Sequence, residues 1–258
     1  MIIKKDFIYP SKQKNRALHI YLPDNYDQTS ERYPVMYFLD GHNLFTDEDA
    51  TYGKSWGMKK FLDTWAKDMI LVGIECGHEG QERLSEYLPY PANYGRFKEF
   101  EPTGEETFRW IIEDIKPIID QEYRTIPFRE CCGIGGSSFG GLMAVYGIIH
   151  HNNYFSKAAC VSSSIGICMD SIMNELNTTY INPDTRVYLS WGTQEAWGIK
   201  DVWKEDTHSE TYKCNLKVAS VFEKSNATVK MYCQVGGGHC EADWEKLVPD
   251  FMDFLWMR

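Results

Sequence analysis

Gly135-Gly136-Ser137-Ser138-Phe139-Gly140-Gly141 is the stretch on which the reading of this chain turns. Before it runs Glu130-Cys131-Cys132-Gly133-Ile134, short and mostly apolar, as a buried strand is. After it runs Leu142-Met143-Ala144-Val145-Tyr146-Gly147-Ile148-Ile149, which suits a buried helix. A strand, a tight glycine turn and a helix are the context in which Gly-x-Ser-x-Gly, here Gly136-x-Ser138-x-Gly140, presents a serine on a strained elbow. The glycines have a steric reason: a side chain two positions either way from the serine would collide with the adjoining strand or helix. The turn lifts the Ser138 hydroxyl above the sheet and aims the Phe139 N–H at the same point, where the helix N-terminus favours a developing oxyanion. The competing reading is a glycine turn that packs closely or holds a phosphate. A dinucleotide site would need Gly-x-Gly-x-x-Gly near the first strand, and a P-loop would need Gly-Lys-Ser/Thr; the chain has neither.

A serine hydroxyl becomes a strong nucleophile only when a base takes its proton and a third group orients that base. With the elbow on this kind of sheet, the chain order is Ser, then Asp or Glu, then His. His19, His42 and His78 come too early. His150 and His151 end the helix after the elbow and suit its C-terminal dipole, and His208 lies in a charged, surface-like stretch. His239 remains, on a glycine turn after the last apolar strand. The acid is expected past the preceding strand, where Glu195 is the first carboxylate; Asp201, Glu205 and Asp206 are alternatives, and Asp184 lies at the wrong edge. A second oxyanion donor is expected in the loop after residues 34–39: Gly41 or His42 through a backbone N–H, with Asn43 offering its amide. Asp40-Gly41 also reads as an ordinary turn.

Around these residues the pattern alternates. Residues 4–9 and 17–22 read as two antiparallel strands. Residues 34–39 and 69–75 read as central strands buried on both faces, with a helix over 56–67 between them. The long segment 76–103, rich in Gly, Pro, Tyr and charge, is of the length that packs over a site. A helix over 108–119 should kink or end at Pro117. Strands over 155–162, 185–191 and 228–235 alternate with helices over 165–176, 212–224 and 241–257. This predicts one α/β domain over residues 1–258: a mostly parallel central sheet with an antiparallel N-terminal start and helices on both faces.

With 258 residues, a single domain buries about 70–75% of its unfolded surface and needs no staples. A net charge of −10 argues against a nucleic-acid partner and gives no attraction to anionic membranes. No stretch offers 18 consecutive apolar residues, so no membrane partner is expected and a cytoplasmic location is. The eight cysteines contain no C-x-x-C pair and sit mostly in apolar runs. They read as free, buried thiols in a reducing compartment, with no zinc site.

Tyr21-Leu22-Pro23, Tyr37-Phe38-Leu39-Asp40-Gly41-His42-Asn43-Leu44-Phe45, Arg83 with Glu86-Tyr87, the elbow itself, Gly192-Thr193-Gln194-Glu195 and Gly238-His239 together resemble the putative esterase family of α/β hydrolases. This esterase D-like group includes feruloyl and acetyl-xylan esterases of carbohydrate esterase family 1, siderophore (enterochelin) esterases and S-formylglutathione hydrolases. The resemblance implies an α/β-hydrolase fold, a triad carried onto Ser138, Glu195 and His239, and hydrolysis of carboxylic esters through an acyl-enzyme with no metal or cofactor. The expected partner is a small-molecule or oligosaccharide ester, feruloyl or acetyl in kind. A siderophore ester, acyl transfer to another alcohol and a non-catalytic binding module stand as alternatives, and homo-oligomerisation is left open. Trp56, Trp191, Trp197 and Tyr87-Leu88-Pro89-Tyr90 are candidates to wall a cleft or to fill the core. Arg83 is a candidate to meet a substrate carboxylate or to pair with Glu86.

Overall fold

The structure is a computed structural model that describes residues 1–93, 95–199 and 201–257. Its centre is the apolar run β3 (Val35–Leu39), buried at every position. Alternate side chains enter different cores: Val35, Tyr37 and Leu39 on one face of the sheet, Met36 and Phe38 on the other. That two-sided burial requires helices above and below. The other strands are β1 (Ile2–Tyr9), β2 (Lys14–Tyr21), β4 (Ile70–Ile74), β5 (Cys132–Ser137), β6 (Lys157–Val161), β7 (Arg186–Gly192) and β8 (Thr228–Gln234). They lie in the order β1-β2-β4-β3-β5-β6-β7-β8. β1 pairs antiparallel with β2 and β2 with β4; every later pairing is parallel. The expected antiparallel start on a parallel sheet is the arrangement observed.

The helices are α1 (Met58–Leu62), α2 (Glu82–Glu86), α3 (Gly104–Trp110), α4 (Lys116–Glu122), α5 (Phe139–His150), α6 (Met169–Leu176), α7 (Glu210–Lys224), α8 (Glu241–Trp244) and α9 (Val248–Trp256). Side chains of α3 to α7 fill the larger core, while α1 and α9 cover the opposite face. None of the described helices is long and apolar enough to cross a membrane.

Four expectations need correction. The helix over 56–67 shrinks to the five residues of α1, because Trp56 leaves the helical line to pack on Phe38 in the core. Pro117 does not end its helix. A π turn over Ile111–Ile115 precedes it, with the Lys116 N–H bonded five residues back to Ile111, and α4 continues beyond. Such a bulge accommodates the missing N–H. Segment 76–103 holds α2 and a 3₁₀ turn over Gly95–Glu99. The closing helix is divided into α8, a 3₁₀ turn and α9.

Candidate active site

Ser138 joins β5 to α5 with φ 58° and ψ −121°, a left-handed backbone that a serine adopts only under constraint. Its N–H donates to Val161 of β6 (3.1 Å), and its carbonyl accepts from Leu142 and Ser164 (both 3.0 Å). The glycines behave as the motif requires. A Cβ at Gly136 would lie 2.6 Å from the Gly140 carbonyl carbon, and one at Gly140 would press on Leu39 at 3.3 Å. The strained turn is therefore hemmed in by the Gly140 backbone on one side and the Leu39 side chain on the other. The Ser138 Oγ lies 3.5 Å from the Ser164 Oγ.

His239 follows β8 on a turn whose glycines, Gly236 to Gly238, suggest looseness. The structure pins it instead. Gln194 donates to Gly237 O (2.9 Å), Thr193 to Gln234 O (3.0 Å) and Gly236 to Thr193 Oγ1 (2.8 Å). The Gly238 N–H is held by Asp243 Oδ2 (2.8 Å). A side chain at Gly192 would fall on the Gly237 carbonyl, so Gly192 is what lets the loops after β7 and β8 touch. That contact brings Glu195 to His239: the Glu195 Oε2 accepts from His239 Nδ1, and its Oε1 accepts the Gly192 N–H at 2.6 Å. With Nδ1 donating to a carboxylate, Nε2 is the basic nitrogen. Trp244 meets the imidazole edge-on at 5.0 Å and anchors its own indole N–H on Ser162 (2.9 Å). Two of the rival acids are engaged elsewhere. Asp206 takes the Trp191 indole N–H (3.0 Å) and two backbone N–H groups at the start of α7, and Asp201 pairs with Lys204 at 2.9 Å.

Ser138, Phe139, Glu195, His239, Arg83 and Trp197 line one cavity of about 720 Å³. Gly41, His42 and Asn43 do not line it. Asn43 is buried and uses its amide oxygen to accept from Thr51 N (2.9 Å), while Gly41 is pressed against Gly73 of β4. The link from this turn to the elbow is Asp40, whose Oδ2 would lie 3.4 Å from a Cβ at Gly140. Asp40 is itself left-handed, with φ 60°. Of the two candidate roles of Arg83, pairing with Glu86 is not made among the described residues. Arg83 grips Asp40 through Nε and Nη2, both at 2.7 Å, and Glu86 instead holds Arg16 (2.6 Å). Burial works against the Asp40 carboxylate, but the Arg83 guanidinium outweighs it and keeps its pKa below the ordinary range.

Of the aromatic candidates, Trp191 and Trp197 line the cavity, whereas Trp56, Tyr87 and Tyr90 are core. Sequence reasoning missed Arg96 and Phe97 on the cavity wall and Trp244 behind His239. Arg96 and Phe97 belong to no motif; their only signal is membership in the long segment expected to cover a site. The thiol expectation holds in part: all eight cysteines are free, but four are buried, three partly so, and Cys240 is exposed.

The strand order and the strained serine between β5 and α5 define the α/β-hydrolase fold. Within it, the chain belongs to the "Putative esterase" family, whose sequence model matches residues 10–255. It is 27% identical over 188 residues to the Bacillus subtilis protein YbbA, described as uncharacterized, covering 72% of this chain and 71% of that one. It is 28% identical over 170 residues to the ferri-bacillibactin esterase BesA of Bacillus subtilis, covering 60% of this chain and 56% of that one. The structure of an IroE-like serine hydrolase from Shewanella oneidensis superposes with a TM-score of 0.75 at 18% identity, over 98% of this chain and 79% of that one, a likeness of fold.

Proposed function

We propose that this protein is a serine esterase that hydrolyses carboxylic esters with Ser138 as nucleophile, His239 as general base and acid, and Glu195 as the group that orients the imidazole. One observation carries the reading: a serine held at φ 58° on the strand-to-helix turn shares a cavity with a histidine whose Nδ1 is engaged by a carboxylate. His239 Nε2 takes the proton as Ser138 Oγ attacks the ester carbonyl. The Phe139 N–H, at the start of α5, stabilises the oxyanion. His239 then protonates the departing alcohol, and a water molecule repeats the cycle on the acyl-enzyme. Glu195 stabilises the imidazolium without taking the proton outright.

The cavity wall favours an aromatic ester. Phe97, Phe139, Trp191 and Trp197 supply ring surface, and Arg83 and Arg96 supply positive charge. Feruloyl esters and the aryl-bearing esters of siderophores both present a ring to such a wall, and the second class agrees with the likeness to a ferri-bacillibactin esterase. A small acetyl group would leave most of the cavity unfilled. The test is initial rates on p-nitrophenyl acetate, methyl ferulate and a catechol-bearing serine ester, for the wild type and Ser138→Ala. The expected result is a preference for the aryl substrates in kcat/KM and a loss of about 10³-fold or more in the variant. Equal rates for both proteins would reject Ser138 as nucleophile; ester formation with an added alcohol in place of hydrolysis would make the protein an acyltransferase.

A further inference from the structure

A second group of reactive side chains lies where the ends of β3 and β4 meet, and ester hydrolysis makes no use of it. The cause is a close approach of two glycines: a Cβ on Gly73 would lie 2.8 Å from the Gly41 Cα, so the turn after β3 is pressed onto β4 and its continuation Glu75-Cys76-Gly77-His78. His42, Cys76 and His78 meet there, one donor atom of each lying within 4.8 Å of the others. His42 is 6% exposed and Cys76 1%, while His78 stands at the surface.

The outer nitrogens of both rings are already engaged. His78 Nε2 donates to Glu75 Oε2 (3.0 Å), and His42 Nε2 shares a hydrogen bond with the Thr51 hydroxyl (2.9 Å). The Glu75 carboxylate only accepts, so a neutral His78 carries its lone pair on Nδ1; the Thr51 hydroxyl can accept from His42 Nε2, and in that tautomer His42 Nδ1 carries a lone pair as well. His42 Nδ1 is buried without a hydrogen-bond partner among the described residues. Buried polar atoms are nearly always satisfied, and one left open calls for an explanation. The edge-to-face contact of the two imidazoles at 4.7 Å accounts for their packing but leaves the orphaned nitrogen unexplained.

We propose that His42, Cys76 and His78 bind one divalent transition metal ion of borderline softness, with Zn²⁺ as the type ion. Two imidazoles and a thiolate are the donors that select such ions over Mg²⁺ or Ca²⁺. An outer acceptor on each ring is the support that metal-bound histidines require. Zinc bonds of about 2.0–2.3 Å place tetrahedral donors about 3.3–3.8 Å apart. The site closes from 4.8 Å by about 1–1.5 Å, a movement open to His78 at the surface. A solvent molecule takes the fourth position. On binding, the Cys76 S–H bond breaks, its proton passes to solvent and a sulfur–metal bond forms, with no change in oxidation state. Glu75 adds negative charge nearby, and the adjacent cations Arg83 and Arg16 are paired with Asp40 and Glu86. The ion ties down the His42 side chain, and with it the turn beside the elbow. Sequence spacing conceals the set because Cys76-x-His78 is brought to His42 only by the fold.

The inference is independent of the esterase reading, since its test is spectroscopic. The full chain, treated with chelator and dialysed, is titrated with Co²⁺. The expected result is saturation at one Co²⁺ per chain with a thiolate-to-cobalt charge-transfer band in the near ultraviolet, displaced by Zn²⁺. Cys76→Ser abolishes the band, His78→Ala weakens binding at least tenfold, and Cys240→Ser, removing the exposed thiol beside His239, leaves both unchanged. Absence of stoichiometric binding overturns the proposal, as does a band that disappears with Cys240 while surviving in Cys76→Ser. Should Cys76→Ser fail to fold, His78→Ala decides alone, because that side chain is exposed, and an affinity equal to that of the wild type rejects the site.

Discussion

At the scale of single residues, the account rests on how His239 is held. Its side chain is 43% exposed, so packing alone does not fix the ring; the Glu195 carboxylate and the edge of Trp244 do. Glu195→Gln keeps the shape but offers an amide that can donate to Nδ1 and favour the wrong tautomer. We expect kcat to fall by about 10²–10⁴ with little change in KM and an unaltered circular dichroism spectrum. An activity within threefold of wild type would remove Glu195 from the mechanism. The contact of His239 with Glu195 was legible in the sequence as one of a few choices, with Asp201, Glu205 and Asp206 the others, because chain order and the glycines beside each strand end narrow the field. The partner of Arg83 was not legible. Asp40 lies 43 residues away, and only the left-handed turn after β3 brings its carboxylate within 2.7 Å.

At the scale of elements, the loops after β7 and β8 act as one unit, and Gly192 is the position that permits it. Gly192→Ala drives a methyl group into the Gly237 carbonyl. Overpacking of this kind costs about 1–3 kcal/mol, and the movement that relieves it separates Glu195 from His239. The expected outcome is a loss of activity of tenfold or more with a modest fall in the urea midpoint; full activity would show that the two loops need not touch. Asp206 secures the same region from the side of α7, holding Trp191 and two N–H groups. Burial opposes its charge, yet hydrogen bonds from the Ser209 hydroxyl, the His208 and Ser209 N–H groups and the Trp191 indole prevail and lower its pKa. The unfolded chain therefore binds the proton more readily. The contribution of Asp206 is complete above about pH 4 and is lost as pH falls toward the folded pKa. Asp206→Asn should cost about 1–3 kcal/mol at pH 7 and less at pH 3, as read from urea unfolding of both proteins. An equal cost at the two pH values would contradict the role of the charge. Element types could be read from hydrophobic period, but lengths could not. α1 is short because Trp56 is drawn into the core, and Pro117 is accommodated by a π turn that no residue pattern announces.

At the scale of the whole molecule, one sheet with a core on each face carries the elbow at its centre and the acid and histidine on adjoining strands. The alternation of strands and helices made the parallel sheet legible. The placement of β4 between β2 and β3 was not, since sequence order does not state spatial order. That placement is also what sets Cys76 and His78 against the turn after β3. The central claim is that, of all the hydroxyl groups in this chain, Ser138 alone is activated. The direct measurement is intact-protein mass spectrometry after exposure to a fluorophosphonate, followed by peptide mapping. The account predicts one phosphonyl adduct per chain, located on Ser138 and absent from Ser138→Ala. An adduct on another residue, or none on a well-folded wild-type protein, would contradict it.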